Sequence, residues 1–505
     1  MEKFYITPPI YYVNDKPHIG HAYTTIACDI LARFHKLKGD DVYFLTGTDE
    51  HGQKVEKAAT ISSSNTKDFV DNMSLNFKNL IPFLGCEIDD FIRTTEERHI
   101  KAAQHLWNKL DENNQIYLSN YEGWYSVRDE AFYTESELTK KKDDYLAPTG
   151  AKVEWVKEES YFFKLSNWEK KLIEFYENNP DSIQPKSRYN EVISFINSGL
   201  KDLSISRTTF KWGVTVPNNP KHVMYVWIDA LCNYLTSIEY PNIDSSKFEF
   251  WPAIHIVGKD ILRFHAVYWP AFLMAAGINP PKKIFAHGWW TNEGQKISKS
   301  LGNVIDPYDI INTYGLDQIR YFLFREVPFG NDGDFSKDAI ANRINADLSN
   351  NYGNLVQRIT SFIVKNCDSC VYKAKDFSNE DNSLIDFSNI KFSEYYKALK
   401  SQRIDKGLKC VFEVLSQCNS YVDTQAPWNL NKTNKIRMNQ VLFVVLNIIK
   451  STSIMLIPVI PISANKALDM LNIKTEERNF KFIDIIINKN IIISNPKPIF
   501  PRIEK

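Results

Sequence analysis

The sequence has no excess of charge of either sign: 61 Lys+Arg balance 61 Asp+Glu over 505 residues. A protein that coats nucleic acid without specificity is disfavoured by that balance, and any RNA site must be a local patch. Cysteine is scarce, 7 in the chain and unevenly spaced. That excludes a disulfide framework and suits a reducing cytosol. No cysteine falls between Cys86 and Cys232, and no histidine between His105 and His222. Tetrahedral metal sites need several thiolates or imidazoles, so no zinc is expected in that stretch. Cys367 and Cys370 make a close pair, but without a second pair they read as two thiols at a helix end. A leader peptide is not expected, because the opening Phe4-Tyr5-Ile6-Thr7-Pro8-Pro9 reads directly into the fold. A clean membrane span is missing too. The apolar stretch from Val441 to Ile462 contains Asn447, Lys450, Ser451, Thr452 and Ser453 and is broken by Pro458 and Pro461. It predicts a buried helix.

What is present is apolar material in quantity, 43% hydrophobic and 13% aromatic in 58.6 kDa. A chain of this length predicts roughly two to four domains. Lys3 to Thr7 reads as a buried strand, and a helix follows from about His18 to Lys38, stopped by Gly39. Val42 to Leu45 is a second strand, with Thr46 to Gly52 as the loop at its carboxyl end. Strand, helix, strand in this length is a βαβ unit, which implies a parallel sheet with ligands at the strand carboxyl ends. Ile254 to Gly258 reads as a later strand of the same sheet, followed by Asp260. The stretch between, about Gln115 to Lys221, carries mixed charge and strand-like pieces such as Tyr161-Phe162-Phe163, and reads as an insertion. After about Asp347 the apolar spacing turns helical, as in Leu408, Phe412 and Leu415. The fold class expected is α/β, a Rossmann-like parallel sheet split by an insertion and followed by an all-α bundle. The boundaries expected are 1–115 and 222–275 for the two halves of the sheet domain, 116–221 for the insertion, 276–346 for a stem-contact region that carries the loop Lys296 to Ser300, and 347–505 for the bundle.

Two short runs carry the chemistry. His18-Ile19-Gly20-His21 puts two imidazoles on one face of a helix start, beside backbone amides with no helical acceptor. Amides, helix dipole and imidazoles together favour phosphate oxygens, and Gly20 leaves room for a base or ribose. About 280 positions later, Lys296-Ile297-Ser298-Lys299-Ser300 sits between Gly294 and Gly302. Glycines on both sides suggest a loop that closes two ammonium groups over a pyrophosphate, an electrostatic device that needs no covalent nucleophile. Singly, each run also fits ordinary solvated residues. In this order they frame a polyphosphate.

The pair resembles the HIGH and KMSKS signatures of class I aminoacyl-tRNA synthetases, the first in full and the second in four of five positions, with Ile297 for methionine. Further runs are similar to the methionyl-tRNA synthetase family in particular: Pro9 to Asn14, Thr48 to Gly52, Tyr225 to Ala230, Phe285 to Trp289, and Gln425-Ala426-Pro427-Trp428 with Asn354 and Arg358. The resemblance covers essentially the whole chain.

It implies a methionine–tRNA ligase, which forms methionyl-adenylate from L-methionine and ATP and passes the methionyl group to tRNA(Met), initiator included. The residues agree. Methionine is long, uncharged and polarizable, so an aromatic pocket with few polar groups suits it. Ile10, Tyr12, Trp227, Ala230 and Tyr234 supply that. In the family, the positions of Tyr12 and His287 lie near the thioether and that of Asp49 holds the α-ammonium. A buried ammonium needs such a carboxylate. His18, Gly20, His21, Gly258, Asp260, Lys296, Ser298 and Lys299 are assigned to ATP, with His18, His21, Lys296 and Lys299 as the catalytic groups. Mg²⁺ is expected to come with ATP. Asn354, Arg358 and Trp428 are expected to read the anticodon, because single-stranded bases stack on aromatic and guanidinium planes.

Many relatives hold zinc in the insertion, and around Asp129 the ligands for it are missing here. The chain ends soon after the bundle, without the dimerising appendage of some relatives, which argues for a monomer; a cytoplasmic, membrane-free protein is expected. Two alternatives remain. Synthetases for isoleucine, valine or leucine normally carry a larger editing insertion, and the cysteine enzyme is expected to use zinc. A non-catalytic tRNA-binding protein of the same fold would not need the lysines and histidines intact.

Overall fold

The computed structural model describes residues 1–129, 131–133, 135–141, 144–296 and 303–503. The chain forms two compact units, one made of Lys3–Pro17 and Tyr43–Ala286, the other of Met1–Glu2, His18–Val42 and His287–Lys505.

The first unit is built on a seven-stranded sheet of β1 (Lys3–Thr7), β2 (Tyr11–Tyr12), β3 (Asp41–Asp49), β4 (Asp90–Arg93), β5 (Ile183–Gln184), β6 (Ile254–Gly258) and β7 (Lys283–His287). Its order is β5-β7-β6-β1-β3-β2, with β4 also on β3. The β1–β6, β2–β3, β3–β4 and β5–β7 pairs are all parallel. These strands are buried almost end to end, as parallel strands covered on both faces must be. Chain order reverses on either side of β1, which makes the carboxyl ends of β1 and β6 a topological switch point, the usual place for a ligand crevice. The parallel α/β sheet expected from the sequence is therefore present.

One boundary differs. β3 runs on to Asp49, so Thr46 to Asp49 belong to the strand and only Glu50 to Gly52 form the loop. The reason is β4, which pairs Leu45 to Thr48 with Asp90 to Arg93. At Gly47 a Cβ would lie 2.0 Å from the carbonyl oxygen of Ile92, so the close pairing requires glycine.

The insertion forms a four-stranded sheet in which Glu154–Phe163 pairs antiparallel with Ile116–Ser126 and with Leu203–Ser204. Near its tip, Trp124 packs on Tyr145 at 4.5 Å and edge-on to Trp155 at 5.2 Å between ring centroids. Asp129 accepts hydrogen bonds from the Tyr133 hydroxyl at 3.1 Å and from the Thr149 hydroxyl. Its other oxygen takes Arg128 Nε at 3.2 Å. A carboxylate hub and an aromatic cluster thus tie this turn together. Among the described residues, no group of three or more His, Cys, Asp or Glu could hold a metal ion.

The second unit is helical. Its first helix, Ile19–Lys38, ends as the sequence predicts: Gly39 adopts φ 96° and its amide donates to the carbonyls of His35 and Lys36. Helices Leu316–Arg325, Asn354–Asn366, Asn379–Lys400, Ile404–Gln425, Pro427–Thr433, Lys435–Leu456 and Pro461–Met470 follow. Lys435–Leu456 is long and apolar enough to cross a membrane, yet 83% of its apolar window is buried inside the fold. Lys450 within it donates to the carbonyls of Phe482, at 2.7 Å, and Ile485, and burial lowers its pKa to about 8. Cys367 caps the Asn354–Asn366 helix and Cys370 opens a short strand.

Arg320 is the structural centre of this unit. It is fully buried. Its Nε donates to the Val459 carbonyl at 2.9 Å, while Nη2 reaches the Pro458 carbonyl at 3.0 Å and the Asp29 carboxylate at 2.6 Å. One turn earlier, Asp317 accepts the Ser463 amide at 2.6 Å, an acid at the start of the Pro461–Met470 helix. One helical turn therefore grips both ends of the 458–463 turn and also the helix that begins at Ile19. Asp29→Ala should lower stability by about 3 kcal/mol or more, since it strands a buried guanidinium. Asp29→Asn should cost clearly less. Urea midpoints of the two variants check this.

Candidate functional site

In the helical unit, His18 is the N-cap of the first helix rather than its first residue, with φ −135° and ψ 175°. Its Nδ1 accepts the Gly20 amide at 3.1 Å, and His21 Nδ1 accepts the His18 amide at 3.0 Å. The two rings stand 3.9 Å apart between centroids. Reciprocal capping of this kind is normally the work of serine and glutamate. Done by histidines, it has a chemical consequence. Both Nδ1 atoms are acceptors, so both rings are neutral and carry their hydrogen on Nε2, as donors. Loss of solvent and the neighbouring His18 ring push the His21 pKa well below its ordinary 6.5. Gly20 has a reason of its own: a Cβ there would sit 2.9 Å from His18 Cε1.

The segment that follows the second motif is tied to the same helix start and to the hairpin before the motif. The Ile19 amide donates to the Ile305 carbonyl at 3.0 Å, and Asn292 Nδ2 to the Asn303 carbonyl at 3.0 Å. Lys296 ends a hairpin strand, Gln295–Lys296, paired with Trp290–Asn292. Ser298 and Lys299 lie outside the described residues. His287 is buried, its Nδ1 2.8 Å from the Gly288 carbonyl and its Nε2 2.8 Å from the Thr24 hydroxyl. The carbonyl can only accept, which places the ring proton on Nδ1. Gly288 is obligatory for packing, since a Cβ would lie 2.4 Å from the Asn331 carbonyl.

In the bundle of the same unit, Arg358 stands 5.7 Å from the Trp428 ring centroid and pairs with Asp423 at 2.9 Å. A cavity of about 320 Å³ opens between them, lined also by Phe362, Lys365 and Pro427. Trp428 is 38% exposed, unusual for so large an apolar ring. It is presented by Ala426, a non-glycine residue held at φ 43° and ψ 65°, where one helix stops and Pro427 starts the next. Asn354 is exposed one turn before Arg358.

In the sheet unit, Tyr12 lies in register with Asp49 at the carboxyl edge of the sheet. Ile10, Tyr12 and Trp227 pack on a core that includes Tyr234. Trp227 stacks on Phe264 at 3.8 Å and 6°. The Tyr234 hydroxyl meets His265 Nε2 at 2.8 Å, and Ala230 is buried nearby on the Val226–Leu231 helix. Gly258 ends β6, and Asp260 is exposed in the turn after it. The structure thus brings Tyr12 with Asp49, and Trp227 with Tyr234 through one core. His287 is the last residue of β7 and the first of the segment that belongs to the helical unit.

Sequence reasoning missed the buried charges beneath these residues. Glu50 accepts Arg93 through Nε at 2.7 Å and Nη2 at 2.9 Å. Asp229 sits between His51 and His99. A signal existed: an aspartate flanked by Val226, Ile228 and Leu231 on one helix needs a partner.

A parallel sheet with a switch point at β1, and paired histidines capping a helix ahead of a lysine-bearing hairpin, define a class I aminoacyl-tRNA synthetase. Comparisons with known proteins carry this further. Residues 4–360 match the family model for class I tRNA synthetases (M), and residues 371–503 that for the anticodon binding domain of methionyl tRNA ligase. The chain is 56% identical to the methionine--tRNA ligase of Rickettsia felis, over 99% of this chain and 98% of that protein. It is 50% identical to that of Mesorhizobium japonicum, over 99% and 98%. Mycobacterium tuberculosis methionyl-tRNA synthetase in complex with methionyl-adenylate superposes with a TM-score of 0.97 at 45% identity, covering 99% of this chain and all of that one. Its apo form gives 0.91 at 42%, covering 100% and 99%. The chain belongs to the methionyl-tRNA synthetase family, and its reaction is the ATP-dependent joining of methionine to tRNA.

Because the folded His21 pKa lies below 6.5, the unfolded chain takes up its proton first as pH falls. The helix start therefore keeps its full stability above about pH 6.5 and loses it as pH drops towards the depressed value. Nitrogen-resolved NMR should find both rings as Nε2–H tautomers at pH 7, and His21 still neutral at pH 6. An Nδ1–H ring at either position would contradict the cap.

Proposed function

We propose that the two Nε2–H donors of His18 and His21 hold the phosphates of ATP, with Mg²⁺ accompanying the nucleotide. The observation that carries this is the reciprocal cap, which commits both Nδ1 atoms to the backbone and gives the rings a fixed donor edge. Lys296 and Lys299, with Ser298, neutralise the pyrophosphate as it leaves, and Gly258 and Asp260 border the adenosine. Asp49 pairs with the α-ammonium of methionine. Ile10, Tyr12, Trp227, Ala230, Tyr234 and His287 surround the side chain.

Activation follows from these assignments. A methionine carboxylate oxygen attacks the α-phosphorus, the bond to the β-phosphate oxygen breaks, and pyrophosphate leaves with the electron pair. The attacking group is already anionic, so no general base is needed, and the barrier falls through fixed positive charge around the developing phosphoryl charge. In the second step the terminal 2′-hydroxyl of the tRNA attacks the methionyl carbonyl, loses its proton, and AMP departs. Arg358, Trp428 and Asn354 stack on and hydrogen-bond to the anticodon bases of tRNA(Met), initiator and elongator alike. The protein acts as a monomer in the cytoplasm.

ATP–pyrophosphate exchange tests the first half: exchange should occur with methionine and not with isoleucine. Lys296→Ala should slow it by on the order of 10²–10³-fold. Trp428→Ala should spare exchange while weakening tRNA charging by about tenfold or more, the value of one lost base stack. Loss of exchange in that variant would make Trp428 a structural residue only.

A further inference from the structure

Asp229 is completely buried. It lies on the Val226–Leu231 helix, beside Trp227 and Ala230, among buried apolar neighbours. A carboxylate in that company has to be compensated from elsewhere in the fold. Compensation comes from two separate elements. His51 Nδ1 lies 2.7 Å from Oδ2, in the loop that follows Asp49. His99 Nε2 lies 2.8 Å from Oδ1, on the Glu97–Glu112 helix. Burial by itself would raise the Asp229 carboxyl, but the two imidazoles outweigh it and hold its pKa at about 2. An ionised carboxylate only accepts, so each imidazole turns an N–H towards it. The nearby Cys232 thiol is pushed up by burial and by Asp229 itself, and stays neutral.

The loop on the other side of this contact is itself held by several hydrogen bonds. Trp212 Nε1 donates to the Glu50 carbonyl at 2.6 Å, the Gly52 amide donates back to the Trp212 carbonyl at 3.0 Å, and the His51 ring stands edge-on to that indole at 5.8 Å. Arg93 and Thr48 hold the Glu50 carboxylate.

We propose that Asp229 is a positioning residue for methionine recognition: clamped between His51 and His99, its carboxylate fixes the helix bearing Trp227 and Ala230 against the loop that directly follows Asp49. The inference rests on the assignment of methionine to these residues given above. One small substrate is then read by two elements, its ammonium by Asp49 at the end of β3 and its side chain by the helix. Slack between the two acts on methionine affinity and leaves ATP affinity alone.

The test is steady-state exchange on the full chain, with rates normalised by active-site titration. Asp229→Asn turns one acceptor oxygen into a donor facing an imidazole, and should raise the KM for methionine about tenfold or more while the KM for ATP stays within about twofold. His51→Asn and His99→Gln keep a donor nitrogen where Nδ1 and Nε2 stood, and should retain a near wild-type methionine KM. His51→Ala and His99→Ala should raise it. A loss of active fraction with an unchanged methionine KM overturns the proposal. If Asp229→Asn does not accumulate as folded protein, an equal methionine KM for His51→Asn and His51→Ala overturns it instead. Asp49→Asn and Trp227→Ala separate the two levels. If neither raises the methionine KM, the pocket assignment fails. If they do and Asp229→Asn does not, only the clamp fails.

Discussion

A single buried guanidinium fixes how three segments of the helical unit meet. Arg320 gives its donors to the Asp29 carboxylate and to the carbonyls of Pro458 and Val459. A cation without solvent survives only where carboxylate and carbonyl oxygens surround it, so three chain segments far apart in sequence have to converge on one point. One of them is the helix whose first turn carries His18 and His21. Another is the turn that closes the Lys435–Leu456 helix. The first helix takes its place from this convergence, and its capping imidazoles take theirs from the helix.

In the sheet unit the same logic runs with the signs exchanged. Asp229 is a buried anion, and it draws in His51 and His99 from two elements that are not neighbours in the chain. Glu50 and Arg93 repeat the arrangement one residue after Asp49. Buried charges make poor sources of stability, because desolvation offsets most of their attraction. They do restrict geometry: a misplaced element leaves a charge uncompensated, so few arrangements are tolerated. That suits a protein whose chemistry depends on placing a carboxylate oxygen in line with a phosphorus, with no covalent nucleophile of its own.

Much of this was legible in the sequence, for local reasons. Gly39 stops the first helix because glycine tolerates φ 96° where other residues do not. The paired motifs announced a polyphosphate because imidazoles at a helix start and lysines between glycines have few other shared uses. The polar interruptions of Val441 to Ile462 identified a buried helix, and Lys450 there reaches backbone carbonyls. Other features were not legible. β3 reads as ending at Leu45, and only its pairing with β4 carries it to Asp49. His18 reads as a phosphate ligand, but its Nδ1 serves as the helix cap, a fact set by one backbone angle and one ring rotation. Gly20 reads as space for a nucleotide, and the packed fold adds a second reason for glycine there, room for the His18 ring.

By itself, then, the sequence determined the family, the parallel sheet with its helical bundle, and the reaction that joins methionine to tRNA with ATP. Those are properties of residue identity and of spacing within a turn or a strand. Tertiary structure alone decided which tautomer the capping histidines hold, which imidazoles face Asp229, and which carbonyls surround Arg320. The physical reason is distance along the chain: Asp229 lies 178 residues from His51 and Arg320 lies 291 from Asp29. Local pattern shows that a buried charge needs a partner; only the packed fold brings the partner to it.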